Sequence, residues 1–299
     1  MSLLQRFRGE RTPGTTPDDL VANDRLDDPR VGYFMLFARE PDLDADGLTL
    51  ALRSYHPDLD RAKAELFHFS AEDPQPDLPM LVGLMGWGKH VVQIVGFRGP
   101  VPAEIFEACV VPSHVVPELR DEARRHRGHV LLSYAGFDPD PLERYVALTI
   151  ASIALARMDG LLLLNHPART AFPAEALTAD DPEVDAIVGL RVMPLPLLYM
   201  GFVKIEIEGQ DGVWMRTFGG HLLNLPDLAY RVESHKRGSE VFDLFSTMLG
   251  VMHGNAAPFH EGDAVRFDED GPGFTLRVPT AEEYWLTSEG TMLVMSVEA

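Results

Sequence analysis

Downstream of Pro29, short apolar runs alternate with clusters of Gly, Pro and Asp, and the period of each run predicts its element. VGYFMLFARE, from Val31, is apolar and aromatic between Pro29 and Pro41 and predicts a buried strand. Asp44 then caps a short helix through Leu52 and Tyr55 that stops at Pro57. AELFHFSA sets Leu66 and His68 against Phe67 and Phe69 in strand alternation, and EDPQPDLP after it is loop. MLVGLMGW and HVVQIVGF flank Gly88-Lys89 as the two arms of a hairpin. AEIFEACVV and PELRDEARRHRG predict helices, the second closing on basic residues and Gly128. HVLLSYAGF is a strand, Asp138 or Asp140 caps a long helix from Pro141 to Met158, and GLLLLNHP is a short buried strand.

Prolines 167, 173, 182, 194 and 196 mark a connection, after which LYMGFVKIEIEG turns at Gln210-Asp211-Gly212 into VWMRTFGG. LAYRVES predicts a strand, EVFDLFSTMLGVMH an amphipathic helix ended by Gly254, and AVRF, FTLRV and MLVMSV closing strands. Hairpins mixed with helices predict an α+β fold of two halves, each a largely antiparallel sheet packed with helices. The expected organisation is a flexible N-terminal arm over 1–30, an α+β domain over 31–170, a Pro-rich connection over 171–196 and a second α+β domain over 197–299.

Charge narrows the function. With Lys+Arg 26 against Asp+Glu 46 the net charge is -20, which repels nucleic acid and anionic lipid and attracts basic partners. The acidity is densest after Gly238, and Glu261, Asp263, Asp268, Glu269, Asp270, Glu282 and Glu283 are the expected partner-binding carboxylates. The start MSLLQRFRGERTPG lacks the apolar core of a signal peptide, and Val146–Leu164 is interrupted by Arg157, Asp159 and Gly160, so no membrane span is expected. The single Cys109 excludes an internal disulfide and fits a reducing, cytoplasmic setting.

Candidate chemistry is sparse. GLMGWGKH fits G-x-x-x-x-G-K with Gly83, Gly88 and Lys89, but His90 stands where Ser or Thr would hold magnesium. A phosphate loop opens a helix, whereas HVVQIVGF continues as strand, so the stretch is a hairpin turn. His253, His260, Glu261 and Asp263 fall within one loop and form the candidate metal set, though their spacing also suits a helix end and an acidic turn. Cys109 lies five residues before His114, yet Ala108, Val110 and Val111 mark it as a small buried hydrophobe rather than a nucleophile. Arg120, Arg124, Arg125 and Arg127 interleave with Glu118, Asp121 and Glu122 as a solvated helix face, and Trp87, Trp214 and Trp285 belong to core or rim. No G-x-S-x-G, H-E-x-x-H, G-x-G-x-x-G or EF-hand loop is present, and no cofactor is implied.

WMRTFGGHLLNLPDL, followed by a helix and HGNAAPFHEGDAV, resembles the C-terminal region of the bacterial domain-of-unknown-function family numbered 4261. Thr217, Phe218, Gly219, Leu225, Pro226, Asp227, Gly254, Pro258, Gly262 and Asp263 occupy the positions of its turn motifs, with the Gly-Pro step stretched by Asn255 and two alanines. The resemblance covers the last third of the chain firmly and the strand-helix-hairpin order of Val31 to Pro167 more loosely, and it implies an intracellular bacterial α+β protein without a catalytic set to carry over. The expected function is therefore non-catalytic binding of a basic protein, as an immunity protein neutralises a cationic toxin. The alternative is a metal-assisted hydrolase built on the loop from His253 to Asp263.

Overall fold

The apolar run after Val31 forms β1 (Gly32–Phe37), buried on both faces. A computed structural model describes residues 20–23, 31–69, 78–179, 184–254, 259–266 and 272–297. Of the segment expected to be a flexible arm, only 20–23 lie among these, and Asn23 is bound there: its N–H donates to Ala135 O at 2.7 Å and its side-chain amide to Gly136 O at 3.2 Å. Asp44 caps α1 (Ala45–Arg53) by accepting the Gly47 N–H at 2.7 Å.

β2 (Lys63–His68), β3 (Pro79–Trp87) and β4 (His90–Arg98) form an antiparallel meander, and Trp87 pairs with His90 across Gly88-Lys89. Gly88, at φ +52°, supplies the positive φ that so short a turn demands. α2 (Ala103–Val110) and α3 (Pro117–Ala123) lead into β5 (Gly128–Tyr134), which pairs with β4 and β1. Of the two candidate caps, Asp140 is the one that starts α4 (Pro141–Ala156), accepting the Leu142 N–H at 2.9 Å. β6 (Gly160–Asn165) and β7 (Thr170–Pro173) complete a seven-stranded sheet, order β2-β3-β4-β5-β1-β6-β7, antiparallel throughout. β1 sits inside it because neither face is polar: Tyr33 and Met35 meet α4 and α1, while Leu36 packs with Phe106, Cys109 and Val110 of α2.

The first residues of the Pro-rich connection, Ala171 to Pro173, pair with β6 as part of β7, and the remainder carries α5 (Ala174–Leu177), α6 (Ala186–Val192) and α7 (Leu195–Leu198). β8 (Gly201–Ile205), β9 (Val213–Phe218), β10 (Asp227–Val232), α8 (Gly238–Gly254), β11 (Ala264–Arg266), β12 (Gly273–Arg277) and β13 (Met292–Val297) follow. The second sheet runs β11-β12-β13-β10-β9-β8, with β10 and β13 parallel and the other pairs antiparallel. That parallel pair is possible because α8, β11 and β12 intervene as the crossover.

Alternation divides the second sheet cleanly. Met215, Leu228, Tyr230, Leu293 and Met295 face Val241, Phe245, Met248 and Leu249 of α8, in the same apolar cluster as α4 and the first sheet. Trp214, Ala229, Met292 and Val294 face the other way and are covered by Leu286 and Trp285. The two halves therefore share one core. Their backbones also meet closely, since a Cβ at Gly201 would lie 1.6 Å from Ala168 O.

Candidate functional site

The end of the β3–β4 hairpin gathers the densest polar constellation. β4 and the chain after β5 stay hydrogen-bonded past the sheet proper, Ala135 N–H to Val91 O at 2.8 Å and Phe137 N–H to Lys89 O at 2.9 Å. This extension carries Asp138 to the turn that the glycines of GLMGWGKH create. The Lys89 ammonium lies 2.7 Å from Asp138 Oδ2, and His90 Nε2 lies 3.8 Å from the same oxygen. Asp138 Oδ1 accepts the Asp140 N–H at 3.0 Å, and the Tyr134 hydroxyl accepts the Asp138 N–H at 3.0 Å while standing 3.3 Å from His90 Nδ1. Glu143, in the first turn of α4, is gripped by Arg191 of α6 through bonds of 2.6 and 2.9 Å.

Burial sets the electrostatics here. The Asp138 side chain is 2% exposed, which by itself would raise its carboxyl pKa. The Lys89 ammonium and the Asp140 N–H outweigh that and hold it below the ordinary carboxylate value. Burial lowers the His90 imidazole below its usual value against the pull of Asp138 and Glu143, so the ring is neutral at pH 7. Among the described residues, His90, Asp138 and Glu143 form the one group of three or more His, Cys, Asp or Glu whose ligand atoms all lie within 4.8 Å of one another. A nitrogen and two carboxylates so placed can hold a divalent cation or shuttle a proton. Neither Lys89 nor His90 stands out in the sequence beyond the turn, because Asp138 meets them only through the β4–β5 register.

The candidate metal set of the C-terminal loop is not drawn into one coordination sphere. His253 is exposed in the last turn of α8, and His260 and Glu261 are exposed. Asp263 serves the turn instead: its carboxylate accepts the His260 N–H at 2.7 Å, with Gly262 at φ +92° between them. Of the expected partner-binding carboxylates, Glu261 and Glu282 are exposed and Asp263 is half-buried. Glu283 is engaged by Arg277 at 2.7 and 2.6 Å and by the Thr280 N–H at 2.8 Å. Asp268, Glu269 and Asp270 lie outside the described residues.

Cys109 is fully buried, burial pushes its thiol up to about 12, and His114 is exposed. In the basic run, Arg124 pairs with Glu107 at 3.2 Å and lies over the Phe106 ring, while Arg120 donates to Ser113 O and Val115 O. His126, between Arg125 and Arg127, is buried: its Nε2 accepts the Val101 N–H at 2.8 Å and its Nδ1 lies 2.6 Å from Ala123 O.

A second buried network lies at the connection between β9 and β10. Asp227 Oδ1 accepts the Gly220 N–H at 3.0 Å and the Thr217 hydroxyl at 3.3 Å, and Ser288 donates to Oδ2. Thr217 Oγ1 in turn accepts the Leu228 N–H at 2.8 Å. Beside it Arg216, 1% exposed, donates from Nη1 to Trp285 O and Thr287 O, and burial pushes its guanidinium down to about 10, still charged at pH 7. With Gly219 at φ +91° opening the turn, these residues close the β9–β10 connection rather than frame a cleft. No protein-family model matches the chain, and no curated protein or solved structure shows significant similarity to it.

Proposed function

We propose that this protein works without catalysis, by docking a basic protein partner onto its surplus carboxylates, in the manner of an immunity protein neutralising a cationic toxin. The observation that carries this reading is the excess of carboxylates over cations. Among the described residues, Arg39, Lys63, Lys89, Arg98, Arg124, Arg191, Arg237 and Arg277 are each held by an internal carboxylate. Pairing removes cation and carboxylate in equal number, so with Lys+Arg 26 against Asp+Glu 46 the net charge of -20 remains as carboxylate without a basic partner, and Glu261 and Glu282 are exposed. Such a field speeds encounter with a basic surface and rejects polyanions. No helix among the described residues is long and apolar enough to cross a membrane. Among the described residues, His253, His260, Glu261 and Asp263 do not form a group of ligand atoms within 4.8 Å of one another, so nothing gathered there favours the hydrolase alternative.

The test is capture from the native host at low and moderate salt, followed by association kinetics with the purified partner. A stoichiometric basic protein is expected, with an on-rate falling about tenfold between low and physiological salt. Glu261→Lys with Glu282→Lys should slow association further. Recovery of no stoichiometric partner at either salt, or an on-rate indifferent to salt, overturns the proposal.

A further inference from the structure

We propose that His90, Asp138 and Glu143 bind one divalent transition-metal cation, for which the Lys89 ammonium is the built-in competitor. The three ligands come from three rigid places: the first residue of β4, the capping loop before α4, and the first turn of α4. One imidazole nitrogen with two carboxylates is a borderline donor set, suited to zinc and its neighbours rather than to magnesium. Donor atoms sharing one tetrahedral ion at about 2.1 Å lie roughly 3.4 Å apart. The ligand atoms here lie within 4.8 Å of one another, so closing on an ion asks for a contraction of up to about 1.4 Å, which side-chain torsions supply.

The surrounding groups aim these ligands. Tyr134, 3.3 Å from His90 Nδ1, can accept the proton on that nitrogen and leave the Nε2 lone pair facing Asp138. The Asp138 backbone N–H bonds to the same hydroxyl, and Oδ1 is fixed by the Asp140 N–H. Arg191 holds Glu143 through both oxygens, each of which keeps a second lone pair.

The decisive atom is Asp138 Oδ2. It is buried, accepts no well-formed hydrogen bond, and is met only by the Lys89 ammonium at 2.7 Å and more distantly by His90. Burying a carboxylate oxygen is costly unless a cation or donor answers it. Here the answering cation sits on a flexible stem whose side chain is 59% exposed, so it can withdraw into water without loss of solvation. Lys89 stands where a metal would and leaves when one arrives. The inference is independent of partner docking, which needs no ion.

Zinc is the probe. The full chain, stripped with chelator, is titrated with Zn²⁺ by calorimetry, and with Co²⁺ by its visible absorption. The expected result is weak single-site binding in the wild type and binding at least tenfold tighter in Lys89→Met. In the Lys89→Met background, Asp138→Asn abolishes this tight site. Because Asp138→Asn can unsettle the loop, His90→Gln is the second variant; His90 closes a hairpin turn, and circular dichroism verifies the fold of each protein. Lys89→Met binding zinc no more tightly than wild type overturns the proposal, as does tight binding that survives both Asp138→Asn and His90→Gln.

Discussion

Asp227→Ala tests how the second sheet is locked. The carboxylate is 1% exposed and takes the Gly220 N–H, the Thr217 hydroxyl and the Ser288 hydroxyl. Burial raises its pKa, and those donors together with Arg216 oppose the rise. Removal strands a buried amide, worth about 2 kcal/mol, and two hydroxyls at about 1 kcal/mol each, since hydroxyls can rotate towards other acceptors. It also leaves the Arg216 guanidinium, whose Nη2 already lacks a partner, without a neighbouring negative charge. The expected loss is therefore about 4 kcal/mol, or roughly 8 °C in melting temperature for a chain of this size. Urea unfolding, followed by tryptophan fluorescence, measures it, because Trp214 and Trp285 border the network. Thr217→Val strands the Leu228 N–H and should cost about 2 kcal/mol. The double variant should then lose about 1 kcal/mol less than the sum, as the shared bond is counted twice. A loss below about 1 kcal/mol for Asp227→Ala, or strict additivity with Thr217→Val, would refute the assignment of this turn as a polar lock.

Three further outcomes follow from burial. His126 is held neutral, its Nε2 accepting from Val101 and its Nδ1 donating to Ala123 O; burial lowers its pKa first, with neighbouring His129 adding to the effect. The unfolded imidazole takes a proton more readily, so this contribution is complete above about pH 6.5 and is lost as pH falls below it; the urea midpoint should drop between pH 7 and pH 5 less steeply in His126→Gln than in wild type, and equal slopes would contradict this. Phe245, fully buried between α8 and the second sheet and set against Phe202 at 5.9 Å, should cost about 3–5 kcal/mol as Phe245→Ala. Cys109, with its thiol raised to about 12, should resist a thiol reagent at pH 8 in the folded protein and react at once in urea, and rapid native labelling would contradict its placement.

Periodicity and punctuation made most of the elements legible. The run at Val31, the hairpin at Gly88-Lys89, the cap at Asp44, the start of α4 at Asp138 or Asp140 and the helix ending at Gly254 are all local signals, carried by residues within one or two turns of one another. Pairings over long separations were not legible. β7 hides among prolines because its strand character comes from the ladder with β6 and from the Ser113 hydroxyl accepting the Ala171 N–H at 2.8 Å. The parallel match of β10 with β13 depends on a crossover whose length the sequence shows but whose docking it does not. The same limit hid the polar cluster, since Lys89 and Asp138 are brought together only by the register of β4 on β5. The burial of His126 is hidden for a different reason. RRHRG reads as a charged helix end, whereas its ring stacks on Phe106 at 5.9 Å beneath the exposed arginines.

The two buried carboxylates show why position in a network matters more than charge. Asp227 is surrounded by donors that belong to the fold: a backbone amide and two hydroxyls fixed by the turn after β9 and by the segment that covers the outer face of the sheet. None of these can leave without unfolding something, so a foreign cation has no vacancy to enter. Asp138 has one oxygen fixed in the same way, by the Asp140 N–H, while the other is answered by an amine at the end of a solvent-exposed chain. An amine of that kind exchanges with water at little cost, whereas the carboxylate it leaves cannot remain buried and unanswered. Occupancy at Asp138 is thus set by competition among cations, and occupancy at Asp227 by the fold alone. This asymmetry predicts that lysine removal sensitises the first site to metal, and that no comparable single deletion does so at the second.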